Sequence, residues 1–202
     1  MKRGVVQRYW DSNAFLGWLN KDPGRWDICD QILADAEAGK CEIVTSTVTW
    51  TEVFWMRSAP PRTSPILQPD QVRAIKDLFG KSFVIAADLD RVTAELARDL
   101  LFTFAQSHGL TPKDALHLAT AIKTKARGGV EWFDTWDGPL SQLTGQLTKV
   151  EKLQEKGSGA DLYIGVPLIA PRLPLAPTEP SRIVRPPEAK RRGGPSDGET
   201  TH

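Results

Sequence analysis

The chain has 202 residues, 40% of them hydrophobic, and 26 Lys/Arg against 25 Asp/Glu give a net charge of +1. That length suffices for one domain with a real core plus additional chain, and the charge excludes the strongly basic balance of a protein that holds nucleic acid by bulk attraction. No apolar run approaches the ~20 residues that span a bilayer, so no membrane is expected. Two cysteines, Cys29 and Cys41, without a CxxC pair or a secretory leader, imply reduced thiols and a cytoplasmic setting.

In chain order, residues 4–10 (GVVQRYW) read as a first strand ending at Asp11. Residues 26–38 carry Ile28, Cys29, Ile32, Leu33 and Ala36 at helical spacing, with Gly39 as a stop. Residues 42–46 form a second strand, and a helix is expected from Thr47 to Arg57. The stretch 58–69 holds four prolines and is not regular throughout. Val72, Ile75 and Phe79 mark a short helix ending at Gly80, and 82–87 a third strand. A long amphipathic helix follows over 90–107, closed by Gly109. Thr111-Pro112 then opens another, with proline at the first helical position. Residues 130–134 are a fourth strand, and 161–166 a fifth. Between them Leu140, Leu143, Leu147, Val150 and Leu153 trace one face of a last helix.

Strand and helix alternate, which implies βαβ units, a mostly parallel sheet and helices on both faces. The functional crevice of such a sheet lies at the carboxyl ends of its strands. From about Pro171 the composition shifts to Pro, Arg, Glu, Gly and Ser, with seven of the fifteen prolines. The expected organisation is one α/β domain over 1–170 and a disordered Pro/Arg-rich tail over 171–202. Without the tail, the chain has 20 basic and 21 acidic residues, so any hold on nucleic acid must come from local patches.

Four acids stand where strands give way to loops or helices: Asp11, Glu52, Asp114 and Asp137. Each also has a plain structural use. Asp11 suits a helix N-cap. Thr49-x-x-Glu52 satisfies a capping box. Asp114 falls three residues after Thr111, where an acid favours the helix dipole. Asp137-Gly138 is a common turn pair. Asp134 rivals Asp137 for the fourth place. Taken together at one sheet edge, however, carboxylates repel unless a cation lies between them, and oxygen donors suit a hard divalent ion. Such a site performs phosphodiester chemistry without a protein nucleophile, and no G-x-S-x-G or Cys/His pairing is legible.

His117 shares a helix face with Asp114 and is read as a helical His packed near the crevice or as a substrate contact. Trp10, Trp50 and Trp136 each flank a candidate acid. Trp10 and Trp50 are expected in the core, and Trp136, in a loop, is a candidate substrate or partner contact.

These contexts together resemble the PIN-domain ribonucleases, most closely the VapC-like toxins of type II toxin–antitoxin modules. The resemblance covers about residues 6–168. It rests on Asp-Ser-Asn-Ala-Phe-Leu after the first strand, on Thr45-Ser46 followed by Thr49 and Glu52, on Asp114-Ala-Leu-His-Leu-Ala-Thr-Ala, and on Thr135-Trp136-Asp137. It implies a three-layer α/β/α sandwich around a mostly parallel sheet of four to five strands. It implies a Mg2+-dependent endoribonuclease (Mn2+ also serving), a homodimer, and a cognate antitoxin covering the acidic pocket, with structured RNA such as tRNA or rRNA as substrate. It makes Asp11, Glu52, Asp114 and Asp137 the metal and catalytic residues, with Ser12, Asn13, Thr135 and Asp134 supporting. The segment 58–69 and the tail are longer than the family pattern. Lys190-Arg191-Arg192 is either a solvated end or a phosphate-binding run. Alternatives are a PIN nuclease acting in RNA processing or on DNA, and a non-catalytic PIN-like binding module. A receiver-like phosphotransfer domain wants an acidic pair after the first strand, where this chain has Asp11-x-Asn13. No G-x-G-x-x-G follows a strand, which disfavours a nucleotide-dependent dehydrogenase.

Overall fold

The structure is a computed structural model that describes residues 5–54 and 66–169. Most of the Pro-rich segment and the tail expected at 171–202 lie outside the described residues. Five strands, β1 (Val6–Trp10), β2 (Cys41–Ser46), β3 (Val84–Ala87), β4 (Val130–Asp134) and β5 (Tyr163–Gly165), form one sheet in the order β3-β2-β1-β4-β5. Every pairing is parallel. The expected α/β class holds, and the sheet is wholly parallel with five strands.

Alternation along the strands creates two cores, because neighbouring side chains leave opposite faces of a strand. Tyr9 and Val44 face one way, with α5 (Arg91–His108) and α6 (Pro112–Ala126) packed over them. Trp10 and Ile43 face the other, under α1 (Ser12–Leu19), α2 (Trp26–Glu37) and α4 (Pro69–Phe79). The result is a three-layer α/β/α sandwich. No described helix is long and apolar enough to cross a membrane.

Local signals set most boundaries. Asp90 caps α5 by accepting from Thr93 N, and Gly109 ends it at φ +66, a conformation glycine adopts without a Cβ clash. Thr111 caps α6 and Pro112 begins it. Two expectations need correction. The helix expected over 47–57 is, among the described residues, the four-residue α3 (Thr49–Glu52), followed by Val53 and Phe54 in a turn. The last helix is broken: α7 (Gly138–Ser141) is followed by 3-10 turns at Leu147–Lys149 and Glu151–Leu153. Gly145, at φ +74, interrupts the helical path. Leu140, Leu143, Leu147, Val150 and Leu153 are nonetheless all buried, so burial followed the spacing while the backbone did not.

Cys29 and Cys41 are free and buried. Their thiols donate to separate carbonyls, Ala14 O at 3.5 Å and Ile32 O at 3.7 Å. Burial pushes both thiols up in pKa, which keeps them protonated and poor nucleophiles.

Candidate active site

The parallel register brings the first site residues together. Trp10 pairs with Asp134 across β1 and β4, so the residues that follow, Asp11 and Thr135, leave the sheet side by side. Thr135 Oγ1 donates to Asp11 Oδ2 at 2.7 Å and accepts from Asp137 N at 3.0 Å. Asp11 Oδ1 accepts from Ala14 N at 3.1 Å, capping α1. Asn13 Nδ2 stands 3.5 Å from Asp11 Oδ2. Asp11 is 2% exposed and forms no close ion pair among the described residues. Burial raises its pKa, against the pull of His117, Thr135, Ala14 N and Asn13.

Asp134 presents the opposite case. Arg8 grips its carboxylate through Nε and Nη2, each at 2.6 Å, and Trp10 Nε1 donates to Oδ2 at 3.2 Å. Its own burial still pushes the carboxyl up against the pull of Arg8. Of the two rivals, Asp134, the last residue of β4, is thus tied into a buried ion pair. Asp137 lies at the start of α7, where its Oδ1 accepts from Leu140 N at 3.1 Å.

Beside Asp11, a cavity of about 640 Å3 is lined by Ser12, Asn13, Thr51, Glu52, Lys113 and Asp114, among others. Glu52 does not close a capping box: α3 has no side-chain cap bond. Its carboxylate instead receives His117 Nε2 on Oε2 at 2.6 Å and Lys113 Nζ on Oε1 at 2.9 Å. Burial would raise the Glu52 carboxyl, but His117 and Lys113 hold it down at about 2. His117 is 2% exposed, and its Nδ1 stands 2.8 Å from the Tyr9 hydroxyl. Both ring nitrogens are therefore engaged within the protein, and the ring acts on Glu52. Asp114 accepts from Thr111 Oγ1 at 2.5 Å while borrowing the cap of α6.

The turn that carries Glu52 is built by hydroxyls. Thr45 Oγ1 donates to Trp10 O at 2.8 Å and meets Thr49 Oγ1 at 2.6 Å, and Ser46 Oγ accepts from Val48 N. Trp10 is buried as expected. Trp50 is not: it is 55% exposed and stacks on Phe79 at 5.8 Å. Trp136 is half-buried, with the Arg25 guanidinium 5.8 Å above its ring. A separate groove of about 490 Å3, lined by Trp18, Leu33 and Phe83, holds none of the expected acids.

Carboxylate oxygens at a sheet edge, one of them buried without a cation, fit a hard divalent ion in donor chemistry. As the side chains stand, no group of three or more His, Cys, Asp or Glu among the described residues converges to hold a metal. Glu52 is turned to Lys113 and His117, Asp114 to Thr111, and Asp137 to its own helix.

Lys113 and Tyr9 were not singled out from sequence. A tyrosine in a buried strand signals a required partner for its hydroxyl. Lys113 sits next to Asp114 but carries no spacing that points to Glu52. Thr135 has a measurable role: Thr135→Val should cost roughly 1–3 kcal/mol, since it strips a fully buried hydroxyl from Asp11 and from Asp137 N. Urea unfolding checks this, and a change within about 0.5 kcal/mol would show that the hydroxyl holds neither group.

A family model of the PIN domain matches residues 8–135. No curated protein matches the chain. Among solved structures, VapC20 of Mycobacterium tuberculosis, described as a sarcin-ricin-loop-cleaving toxin, superposes with a TM-score of 0.48 at 14% identity, covering 65% of this chain and 90% of that one. VapBC2 of Rickettsia felis, bound to a DNA fragment from its promoter, gives 0.45 at 12% identity, covering 79% and 97%. The matched span runs from Arg8, which anchors Asp134, to Thr135, which anchors Asp11, and takes in more than half of the residues: the chain belongs to the PIN-domain family.

Proposed function

We propose that this protein is a Mg2+-dependent endoribonuclease, the toxin of a type II toxin–antitoxin pair, hydrolysing phosphodiester bonds in structured RNA such as tRNA or rRNA. One observation carries the reading: Asp11, a buried carboxylate at the carboxyl edge of the sheet, has hydrogen bonds but no close ion pair among the described residues, whereas Asp134 nearby is paired with Arg8. Asp11, Glu52 and Asp114, with Asp137, would hold Mg2+ or Mn2+. When bound, the ion supplies Lewis acidity to the scissile phosphate and lowers the pKa of the attacking water. Thr135 fixes the rotamer of Asp11, and His117 with Tyr9 fixes Glu52. Ser12 and Asn13 border the cavity where the substrate backbone enters. Trp136 is the candidate for a base or partner contact. The antitoxin partner and the homodimer rest on the motif resemblance.

A second reading, a PIN-like module that binds nucleic acid or protein without cutting, draws on one observation: Glu52 is occupied by Lys113 and His117, so three acids do not converge. The two readings separate in one assay. Purified protein is incubated with total cellular RNA in Mg2+ or Mn2+ and in EDTA, beside Asp114→Asn. The nuclease reading expects discrete, EDTA-sensitive cuts that the variant lacks. Retention of RNA without cleavage, by folded protein in either metal, would establish the binding module.

A further inference from the structure

We propose that Lys113 is a built-in competitor for the divalent cation: its ammonium and the metal claim the same oxygen of Glu52, so each must displace the other. The inference rests on the nuclease reading above and deepens it, since it makes metal loading a regulated step of that same site.

The carboxylate of Glu52 is clamped from both sides by α6. Lys113 Nζ lies 2.9 Å from Oε1, and His117 Nε2 lies 2.6 Å from Oε2. The two clamps differ in freedom. His117 is buried and held from behind by the Tyr9 hydroxyl at 2.8 Å, and Tyr9 is itself buried and stacked on Phe133 at 4.8 Å. That side is fixed by packing. The Lys113 side chain is 69% exposed and Glu52 only 9%. A lysine tip on a four-carbon stem is a mobile point charge, so Lys113 is the partner that can leave.

Charge makes the competition obligatory. A divalent ion on Oε1 would stand beside an ammonium that touches the same atom, and two cations so close repel strongly. Reciprocity then follows from linkage: whatever Lys113 takes from metal affinity, metal takes from the Lys113–Glu52 pair. Lys113 also borders the cavity next to Asp114.

The test uses the full chain and two readouts, neither of them activity. Free Mn2+ is measured by electron paramagnetic resonance during titration of wild type, Lys113→Met and Lys113→Arg. Lys113→Met should bind Mn2+ up to about fivefold more tightly, the range expected from losing an ion pair with one exposed partner; Lys113→Arg, which keeps a cation on Glu52, should show no such gain. In the wild type, reductive methylation read by mass spectrometry should modify Lys113 faster in saturating Mg2+, while Lys40, paired with Asp35 on the surface, should not change. Equal or weaker Mn2+ binding by Lys113→Met, or a Lys113 methylation rate indifferent to Mg2+, would overturn the competition while leaving the nuclease reading intact. Absence of Mn2+ binding in every form would overturn both.

Discussion

Asp11→Asn should abolish EDTA-sensitive RNA cleavage and at the same time make the folded protein more stable at neutral pH. A lost metal ligand removes several kcal/mol of transition-state stabilisation, which corresponds to a rate loss of about 10^2- to 10^4-fold. Asparagine keeps the shape and the acceptor for Ala14 N, and the Thr135 hydroxyl can rotate to suit the amide. The stability gain follows from burial. The Asp11 carboxyl has its pKa raised in the fold, so between the unfolded and folded values the native state binds more protons than the unfolded one. Stability from this group therefore falls as pH rises through that window. Asparagine carries no such charge, so the variant should exceed wild type above the window and the two should converge in acid. Urea unfolding at neutral and mildly acidic pH measures both points. A variant less stable than wild type at neutral pH would mean that groups around Asp11 already compensate its charge. Retained cleavage would remove Asp11 from the site.

Arg8→Met should destabilise the fold severely. Arg8 is mostly buried, Asp134 wholly so, and the guanidinium makes two bonds of 2.6 Å to the carboxylate. Removing one member of a buried pair leaves an uncompensated charge, at a cost on the order of 3–5 kcal/mol. The double variant Arg8→Met, Asp134→Asn should recover much of that loss, because it leaves no buried charge and keeps an acceptor for Trp10 Nε1. Denaturant midpoints of the two singles and the double form a cycle. Losses that simply add would show that the two side chains are not coupled.

The alternation of strands and helices was legible in the order of residues, as were the caps at Thr111-Pro112 and Gly109. These signals are local: a cap bonds within three residues, and periodicity needs only neighbours. The apolar spacing of Leu140 to Leu153 foretold burial but not backbone, since one left-handed glycine, Gly145, redirects the chain without moving those leucines out of the core. The tryptophans show the same limit. Trp10 and Trp50 look alike in sequence, yet one accompanies a central strand and the other leaves a four-residue helix on its open side.

The sequence by itself determined the fold class and the acidic residues that qualify as site candidates, because both depend on residue type and short spacing. Only the tertiary structure decided which acid is bound to what. Asp134 and Asp137 are indistinguishable as site acids until Arg8, 126 positions from Asp134, is brought against one of them. Glu52 reads as a capping residue until α6 sets Lys113 and His117 on its two oxygens. Charge pairing acts between side chains that share a buried space, and which chains share it is a property of the packed sheet and helices rather than of any local stretch.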